Sequence, residues 1–460
     1  MRSTFFGIEL ARRSLQAQQR ALDVTGQNIA NVNTPGYSRQ EAVMRTTNAY
    51  LVRTASGSYS VGTGVEISDI VRMRDQFLDR QMWNEQSSLG YWQSLATALE
   101  QVEASFNEPS EAGLQKIFND FWAAWQGVAN NPANLPAREV LVEQSKSLAS
   151  ALNSLNRRLS DLGDNLFDTA QTRVDEINTL TSQIASLNRL VLSSEAAGNT
   201  PNDLLDQRDL LVDKLSKLVP IQVTQLETGV IRVSMGGTAL VDGTQANRLE
   251  IMRGDNGEAV VQWEGIGVTA SLSSGELAAL VEMQSTRIPA YRQKLSEFAD
   301  AIAETVNGLH QAGFGTDGTT TGLDFFDVTV DADGYTVLTL NPLLEEDPYR
   351  IAAANATGPG ENALAIASAL ENTHASLGTT LNDFYRALVS GIGVETSSAN
   401  QQVDNQELLT QQIEMQRKSV SGVSLDEEMT KMIQYQQAYN AAARLVLVSD
   451  EMLDTLINRM

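Results

Sequence analysis

The sequence predicts a mainly α-helical protein with inserted β structure: long helices at both ends, a helical bundle shaft, and a small β-rich domain carried on that shaft. Three observations lead there. Apolar residues recur at heptad spacing at both ends of the chain, a Leu-rich stripe holds a 3.6 period from Leu155 to Val191, and strict alternation broken by glycine turns begins after Pro220. At 460 residues and 42% hydrophobic composition, the chain is long enough for two to four domains with cores of their own.

In chain order, Ile8, Leu15, Leu22 and Ile29 repeat every seven residues, with Ala11, Gln18 and Thr25 between them. So narrow a stripe suits packing on one or two partner helices. The stretch "GQNIANVNTPGYSRQ", residues 26–40, then ends the helix. Thr34 precedes Pro35, which disfavours helical dihedrals before it, so the helix is expected to end by about Asn33. Pro35 and Gly36 suit the two central positions of a type II turn, and Tyr37 follows. The amides of Asn28, Asn31 and Asn33 are expected to bond backbone groups left unpaired at the helix end. Residues 46–70, rich in Thr, Ser, Gly and Val, read as extended chain or a short hairpin.

Helical periodicity returns from about Asp75 to Leu218. Leu114, Ile117, Phe118, Phe121, Trp122 and Trp125 form a wide aromatic face that reads as core, and Leu155 to Val191 as one helix of nearly 40 residues. After Pro220, alternation at Ile221/Val223, Ile231/Val233 and Leu249/Ile251, with turns at Gly236-Gly237, Asp242-Gly243 and Asn256-Gly257, predicts short strands. A helix over about 275–311, interrupted near Pro289, precedes a second β patch, "FFDVTVDADGYTVLTLNP", and residues 361–419 are again mostly helical. At the C-terminal end, Leu425, Met429, Met432, Gln436, Tyr439, Ala443, Val446, Asp450, Leu453 and Ile457 follow a 4,3 spacing, introduced by a capping signature at Ser424 and Glu427. The expected division is terminal helices at 1–40 and 425–460 forming an assembly core, a helical shaft at 41–218 and 361–424, and a β-rich outer domain at 219–360. A lone terminal helix is marginal in water, so the two ends either pair within the monomer or wait for neighbouring subunits.

The net charge of −24 argues against nucleic acid or an anionic membrane as a general partner. The acidity is uneven: residues 1–45 carry six Arg against Glu9, Asp23 and Glu41, and residues 420–460 carry three basic and six acidic side chains, which favours pairing of the two ends. Cysteine is absent, the opening residues show no apolar signal core, and no apolar run is long enough for a membrane span. His310 and His374 lie outside any metal-binding spacing and read as caps or surface residues. "DADG" at 331–334 lacks the remaining ligands of a calcium loop and reads as a hairpin turn at Asp333-Gly334. Asp203, Asp206 and Asp209, beside Arg208, read as a solvated face or a salt-bridged contact to another helix. No catalytic, cofactor-binding or metal-binding residue is expected, and no cofactor.

"LARRSLQAQQRALDVTGQNIANVNTPGYSRQ" at 10–40 and "GVSLDEEMTKMIQYQQAYNAAARLVLVSDEML" at 422–453 resemble the terminal signatures of the axial proteins of the bacterial flagellum. Within that class, the "FNDFWAAW" region from Phe118, "NDLLDQRDLLVDKLSKLV" from Asn202 and "GGTALVDG" from Gly236 resemble the first hook-associated protein family, whose members lie at the junction between hook and filament. The alternatives are another axial protein, of the hook or the distal rod, or an adhesin or enzyme built on an axial scaffold. The resemblance implies terminal helices that line the core of a tubular assembly and order on assembly. Asn28, Asn31, Asn33, Thr34, Pro35, Gly36 and Tyr37 would form the bend between core helix and shaft. Ile8, Leu15, Leu22, Ile29, Met429, Met432, Tyr439, Val446, Leu453 and Ile457 would form the assembly seam. It further implies a ring-like assembly with copies of itself, contact with the hook protein and with a neighbouring hook-associated or filament protein, and a cytoplasmic export chaperone on the C-terminal helix. The expected location is the extracellular flagellum, reached through type III export without a cleaved signal.

Overall fold

A computed structural model describes residues 5–54, 57–226, 229–316, 318, 320–356 and 358–458, leaving aside the side chains at positions 54, 370 and 456–458. The elements run α1 Phe6–Ala30, β1 Gln40–Thr46, β2 Tyr50–Thr54, β3 Gly57–Val61, β4 Val65–Arg72, α2 Gln76–Phe106, α3 Leu114–Asn130, α4 Leu135–Ala196 and α5 Asn202–Leu218. There follow β5 Gln222–Gln225, β6 Ile231–Met235, β7 Thr238–Asp242, β8 Gln245–Ala246, β9 Leu249–Arg253 and β10 Ala259–Trp263. The rest are α6 Glu276–Glu282, α7 Ile288–Gln311, β11 Phe326–Val330, β12 Thr336–Leu340, α8 Pro342–Glu346, α9 Glu361–Ser368, α10 Leu381–Ser421 and α11 Leu425–Asn458. The fold is thus mainly helical, with long terminal helices and small inserted sheets.

These elements form two compact units, one from Met1–Gln86, Ile177–Arg248 and Glu407–Met460, the other from Ser87–Glu176 and Leu249–Gln406. Helices α2, α4 and α10 contribute residues to both. The stripe from Leu155 to Val191 belongs to a helix of 62 residues, longer than its periodicity indicates. Pro136 suits the start of α4, because its missing N–H falls where an intrahelical partner is absent anyway.

In the first unit α1 and α11 run antiparallel. Gly7 lies against Ser449 at one end of the pair and Asn28 against Glu428 at the other. Small residues allow the approach: Ala11, Ala17 and Ala21 of α1 and Ala442 of α11 are buried. The region 46–70 is one antiparallel arm in which β1 pairs with β4 and β2 with β3. Its base packs on α1, where Ala42, Met44, Ile67 and Ile70 meet Ala21 and Val24, with Tyr435 alongside. The strands after Pro220 form an antiparallel meander β5-β6-β7-β8. Positive φ at both Gly236 (56°) and Gly237 (87°) gives the tight turn between β6 and β7.

The second unit is centred on the aromatic face foreseen on α3. Phe118, Phe121, Trp122 and Trp125 are buried against Phe298, Phe325 and Phe326, with ring centroids 4.9–6.4 Å apart. The interruption near Pro289 is a π turn at Met283–Arg287 joining α6 to α7. Widening the helix there accommodates a proline that donates no N–H and would crowd the carbonyl four residues back. "DADG" is a hairpin turn: Asp331 Oδ1 accepts the N–H groups of Asp333 and Tyr335 between β11 and β12. His310 departs from its expected place at a cap or the surface. It is 1% exposed, with Nδ1 2.7 Å from the Leu323 carbonyl and Nε2 accepting the Ala352 N–H at 2.9 Å. Burial lowers its pKa, so the neutral ring ties the end of α7 to two loops; a short helix-end motif does not reveal that later chain will fold over it.

Candidate assembly interface

The segment after α1 folds as a type II turn. Tyr37 N–H donates to the Thr34 carbonyl at 3.2 Å across Pro35 and Gly36, and Gly36 has φ +80°. A Cβ at Gly36 would stand 3.1 Å from Leu210 Cβ, so the positive φ favours glycine and a side chain there would press on Leu210. Asn31 behaves as expected: its amide donates to the Gln27 carbonyl at 3.0 Å, and its Oδ1 accepts from Thr34 Oγ1 at 3.0 Å. Asn33 is exposed.

Asn28 does something else. Instead of serving the helix end, it is 1% exposed and holds the chain beyond the turn against the C-terminal helix. Its Nδ2 donates to the Gln40 carbonyl and to Glu428 Oε2, both at 2.9 Å; its Oδ1 accepts Tyr37 Oη–H at 2.8 Å and Gln40 N–H at 2.9 Å. The amide is saturated. Arg39 adds a second clasp, with its N–H on the Ser421 carbonyl at 2.8 Å and its guanidinium on Glu427 at 2.7 Å. Tyr37 has a raised pKa, from burial first and then from the negative charges of Asp206, Asp203 and Glu428, so it stays a donor across physiological pH.

From the turn a chain of buried charges leads into the unit. Ser38 N–H donates to Asp206 at 3.1 Å, Arg72 bridges Asp206 and Asp209 at 2.8 Å each, and Arg74 bridges Asp209 (3.1 Å) and Asp79 (2.7 Å). Arg417 of α10 then bridges Asp79 (2.9 Å) and Asp213 (2.8 Å), the latter also accepting from Trp83 Nε1 at 2.7 Å. The acidic face of "NDLLDQRDLL" is thus a salt-bridged contact, but its partners Arg72 and Arg74 lie on and just after a strand. Arg208 points elsewhere, donating to Asn188 Oδ1 and the Gly229 carbonyl, and burial lowers its pKa. Burial also raises the Asp213 pKa despite Arg417, Trp83 and Arg74. Removing one member of such a chain strands its partner's charge, at a cost of about 3–5 kcal/mol.

Ile8, Leu15, Leu22 and Ile29 are half-buried, while the deepest positions of α1 are Ala11, Ala17, Ala21, Val24, Thr25 and Asn28. On α11, Met432, Val446 and Leu453 are half-buried, Met429 is 56% and Tyr439 36% exposed, and the side chain of Ile457 lies outside the described residues. The face that meets α1 carries Glu428, Tyr435 and Ala442, turned by roughly a quarter of the helix circumference from the heptad seam. Leu425, Met429, Ile433, Tyr439 and Leu447 consequently share an apolar face open to solvent. Sequence reasoning missed Glu428, Arg39, Gln40 and the Arg72–Arg74–Arg417 set; the visible signal was a carboxylate, Glu428, flanking an apolar seam. Among the described residues no group of three or more His, Cys, Asp or Glu is arranged to hold a metal ion, and no helix is long and apolar enough to cross a membrane.

Residues 99–326 match the family described as flagellar hook-associated protein FlgK helical domain. Residues 8–37 match the flagella basal body rod protein family, and 419–460 the flagellar basal body rod FlgEFG protein C-terminal family. The chain is 33% identical to flagellar hook-associated protein 1 of Bacillus subtilis, covering 100% of this chain and 99% of the relative. It is 27% identical to flagellar hook-associated protein 1 of Escherichia coli, covering 98% and 99%. That second alignment runs over 549 positions against 460 residues here, so the Escherichia coli relative carries segments that this chain lacks. The fold is similar to that of the flagellar hook junction protein FlgK of Burkholderia pseudomallei, with a TM-score of 0.63 at 20% identity over 74% of this chain and 100% of the other.

Proposed function

The chain belongs to the flagellar hook-associated protein 1 family, and we propose that the open face of α11 is the surface through which it builds the junction. It is a structural axial component of the bacterial flagellum, at the junction between hook and filament. The observation that carries the reading is that Leu425, Met429, Ile433, Tyr439 and Leu447 stay 36–63% exposed after α1 and α11 have paired. Contiguous exposed apolar surface marks an interaction site. At about 1.5–3 kcal/mol per large apolar side chain fully removed from water, several such residues per copy supply a substantial drive, reduced by the entropy of association.

The joint explains how that drive becomes a defined geometry. Asn28, Tyr37 and Gly36, braced by Arg39 and the charge chain through Asp206, fix the angle between the helix pair and the rest of the first unit. A tube needs every copy to present its helices at one angle, and a rigid turn supplies it. Asn31, Thr34 and Pro35 shape the turn locally, whereas Asn33 contributes little. The partners in this reading are further copies of the chain, the hook protein and the adjoining hook-associated or filament protein. A cytoplasmic chaperone covers the C-terminal helix before export, because an open apolar face in the cytoplasm invites self-association. The route is type III export, and a chain without cysteine threads it with no disulfide to unmake.

The test is Met429→Glu with Ile433→Glu. Both side chains are 56% exposed, so the doubly substituted monomer should fold normally by circular dichroism yet be missing from isolated hooks. Normal incorporation would refute the assignment of this face.

A further inference from the structure

The first unit contains an open cavity of about 600 Å³ beside the charge chain. Four arginines line it, Arg72, Arg74, Arg80 and Arg208, against three carboxylates, Asp79, Asp209 and Glu195. In a chain of net charge −24 the local balance is reversed in sign. These side chains all belong to the first unit and stand on or just after β4, on α2, at the end of α4 and on α5.

Their hydrogen bonds are unevenly spent. Arg74 grips Asp79 with Nε and Nη2 and Asp209 with Nη1. Arg72 uses Nη1 alone, for Asp206 and Asp209. Arg208, only 4% exposed, also uses Nη1 alone, for Asn188 Oδ1 at 3.1 Å and the Gly229 carbonyl at 3.0 Å. Its Nε has no hydrogen-bond partner, and the Asp209 Oδ1 that stands 3.8 Å away is beyond hydrogen-bond reach. The other oxygen of that carboxylate already serves Arg72 and Arg74. Exposed Arg80 gives only Nε, to the Gln76 carbonyl of its own helix at 3.3 Å.

An unpaired N–H on a buried cation is costly and calls for an occupant, an ion or water. In a guanidinium, Nε and Nη2 form the edge that takes two oxygens of one oxyanion. Arg72 and Arg208 both keep that edge unspent, and Arg80 keeps both terminal amino groups. Burial depresses the Arg208 pKa; Asp209 and Glu195 oppose the fall, while the neighbouring charges of Arg72 and Arg74 add to it. An anion among these cations relieves their crowding. The exposed Glu195 has its carboxylate against Gly229, whose carbonyl Arg208 holds, which makes it the competitor for the same donors.

We infer that this cavity binds a phosphate group, taken by the unspent donors of Arg72, Arg80 and Arg208. A planar carboxylate is satisfied by a single guanidinium fork, whereas a tetrahedral phosphate presents enough oxygens and charge to engage three. The source is inorganic phosphate or a small phosphorylated molecule, and the cavity is of the size that holds small ligands. The three arginines stand on β4, α2 and α5, so the bound group ties these elements together next to Asp206, which holds the Ser38 N–H at the joint.

Calorimetric titration of the full-length chain at constant ionic strength, with inorganic phosphate and with glycerol 3-phosphate, tests this. Saturable binding of one phosphate per chain is expected. Arg80→Gln should weaken it about tenfold, through lost charge-assisted hydrogen bonds. Glu195→Gln removes the competing carboxylate and should tighten it several-fold. Both positions are exposed, so both variants should retain the circular dichroism of the parent chain. Arg208→Lys keeps the charge without the fork and should lose most of the binding. Tighter binding of glycerol 3-phosphate would assign the site to a phosphorylated molecule, and equal or weaker binding to the free ion. No saturable binding of either probe, as when water alone serves Arg208, would overturn the proposal. So would binding that Arg80→Gln and Glu195→Gln both leave unchanged.

Discussion

Gly36→Val probes the joint at its most constrained atom. The residue has φ +80°, where a β-branched side chain costs about 1–2 kcal/mol. The new Cβ would lie 3.1, 3.3 and 3.4 Å from three side-chain carbons of Leu210, and the γ-methyls would add overpacking of about 1–3 kcal/mol. The sum is about 3 kcal/mol, which in a unit of roughly 200 residues lowers the melting temperature by about 6–12 °C. Because Leu210 belongs to the same unit as the turn, the loss should be visible in the soluble monomer as well as in assembly. Thermal melts by circular dichroism, paired with motility complementation, measure both. Gly36→Asn separates the two causes, since asparagine tolerates the left-handed region but still meets Leu210. Asn33→Ala, at an exposed position, is the neutral comparison. Unchanged melting and full motility for Gly36→Val would refute the turn geometry and the account of "NTPGY" with it.

Four further outcomes are expected. Asn28→Ala deletes four hydrogen bonds at the joint and should destabilise the first unit by about 3 kcal/mol, read by denaturant titration; a loss no larger than for Asn31→Ala would contradict its central place. Tyr439→Asp, at a position 36% exposed, should leave monomer melting nearly unchanged and abolish recovery from isolated hooks, and normal recovery would argue against that part of the face. Asp331 has a folded pKa below its usual value: burial opposes its charge, but the Tyr335 N–H, Asn156 and Arg292 outweigh it. Its stabilisation is present above the unfolded value near 3.8 and is lost as pH falls through the lower folded value, so Asp331→Asn should flatten the acid limb of the second unit's melting curve; an unaltered limb would refute this. Truncation before Leu425 should leave a soluble folded body that binds the export chaperone more weakly by calorimetric titration, and equal affinity for both forms would place that site elsewhere.

Much of this was legible in the sequence because the signals were local. A proline followed by glycine dictates its own turn, so Pro35-Gly36 and the strand turns could be placed from the residues alone, and the period of Leu155 to Val191 is helical whatever surrounds it. What escaped notice depends on partners far along the chain. Asn28 looks like a helix-end amide until Glu428 is brought to it from 400 residues away. Asp206 and Asp209 read as a solvated face or a salt-bridged contact to another helix, and the salt bridges are there, but the partners Arg72 and Arg74 come from the end of a strand and the residues just after it. The heptad seam of α11 gave the apolar positions, but α1 pairs through a neighbouring row because three of its own buried residues are alanines, and small side chains set the closest approach. His310 shows the same limit, since its two bonds are made by loops distant in sequence.

The central claim, that the open face of α11 is covered in the flagellum, is tested most directly by a single thiol on it. Met429→Cys places the only cysteine of the chain at a position 56% exposed in the monomer. Maleimide labelling of the soluble protein and of isolated flagella then compares the same atom in both states. The account predicts rapid labelling of the monomer and strong protection in the flagellum; equal labelling in both would contradict it.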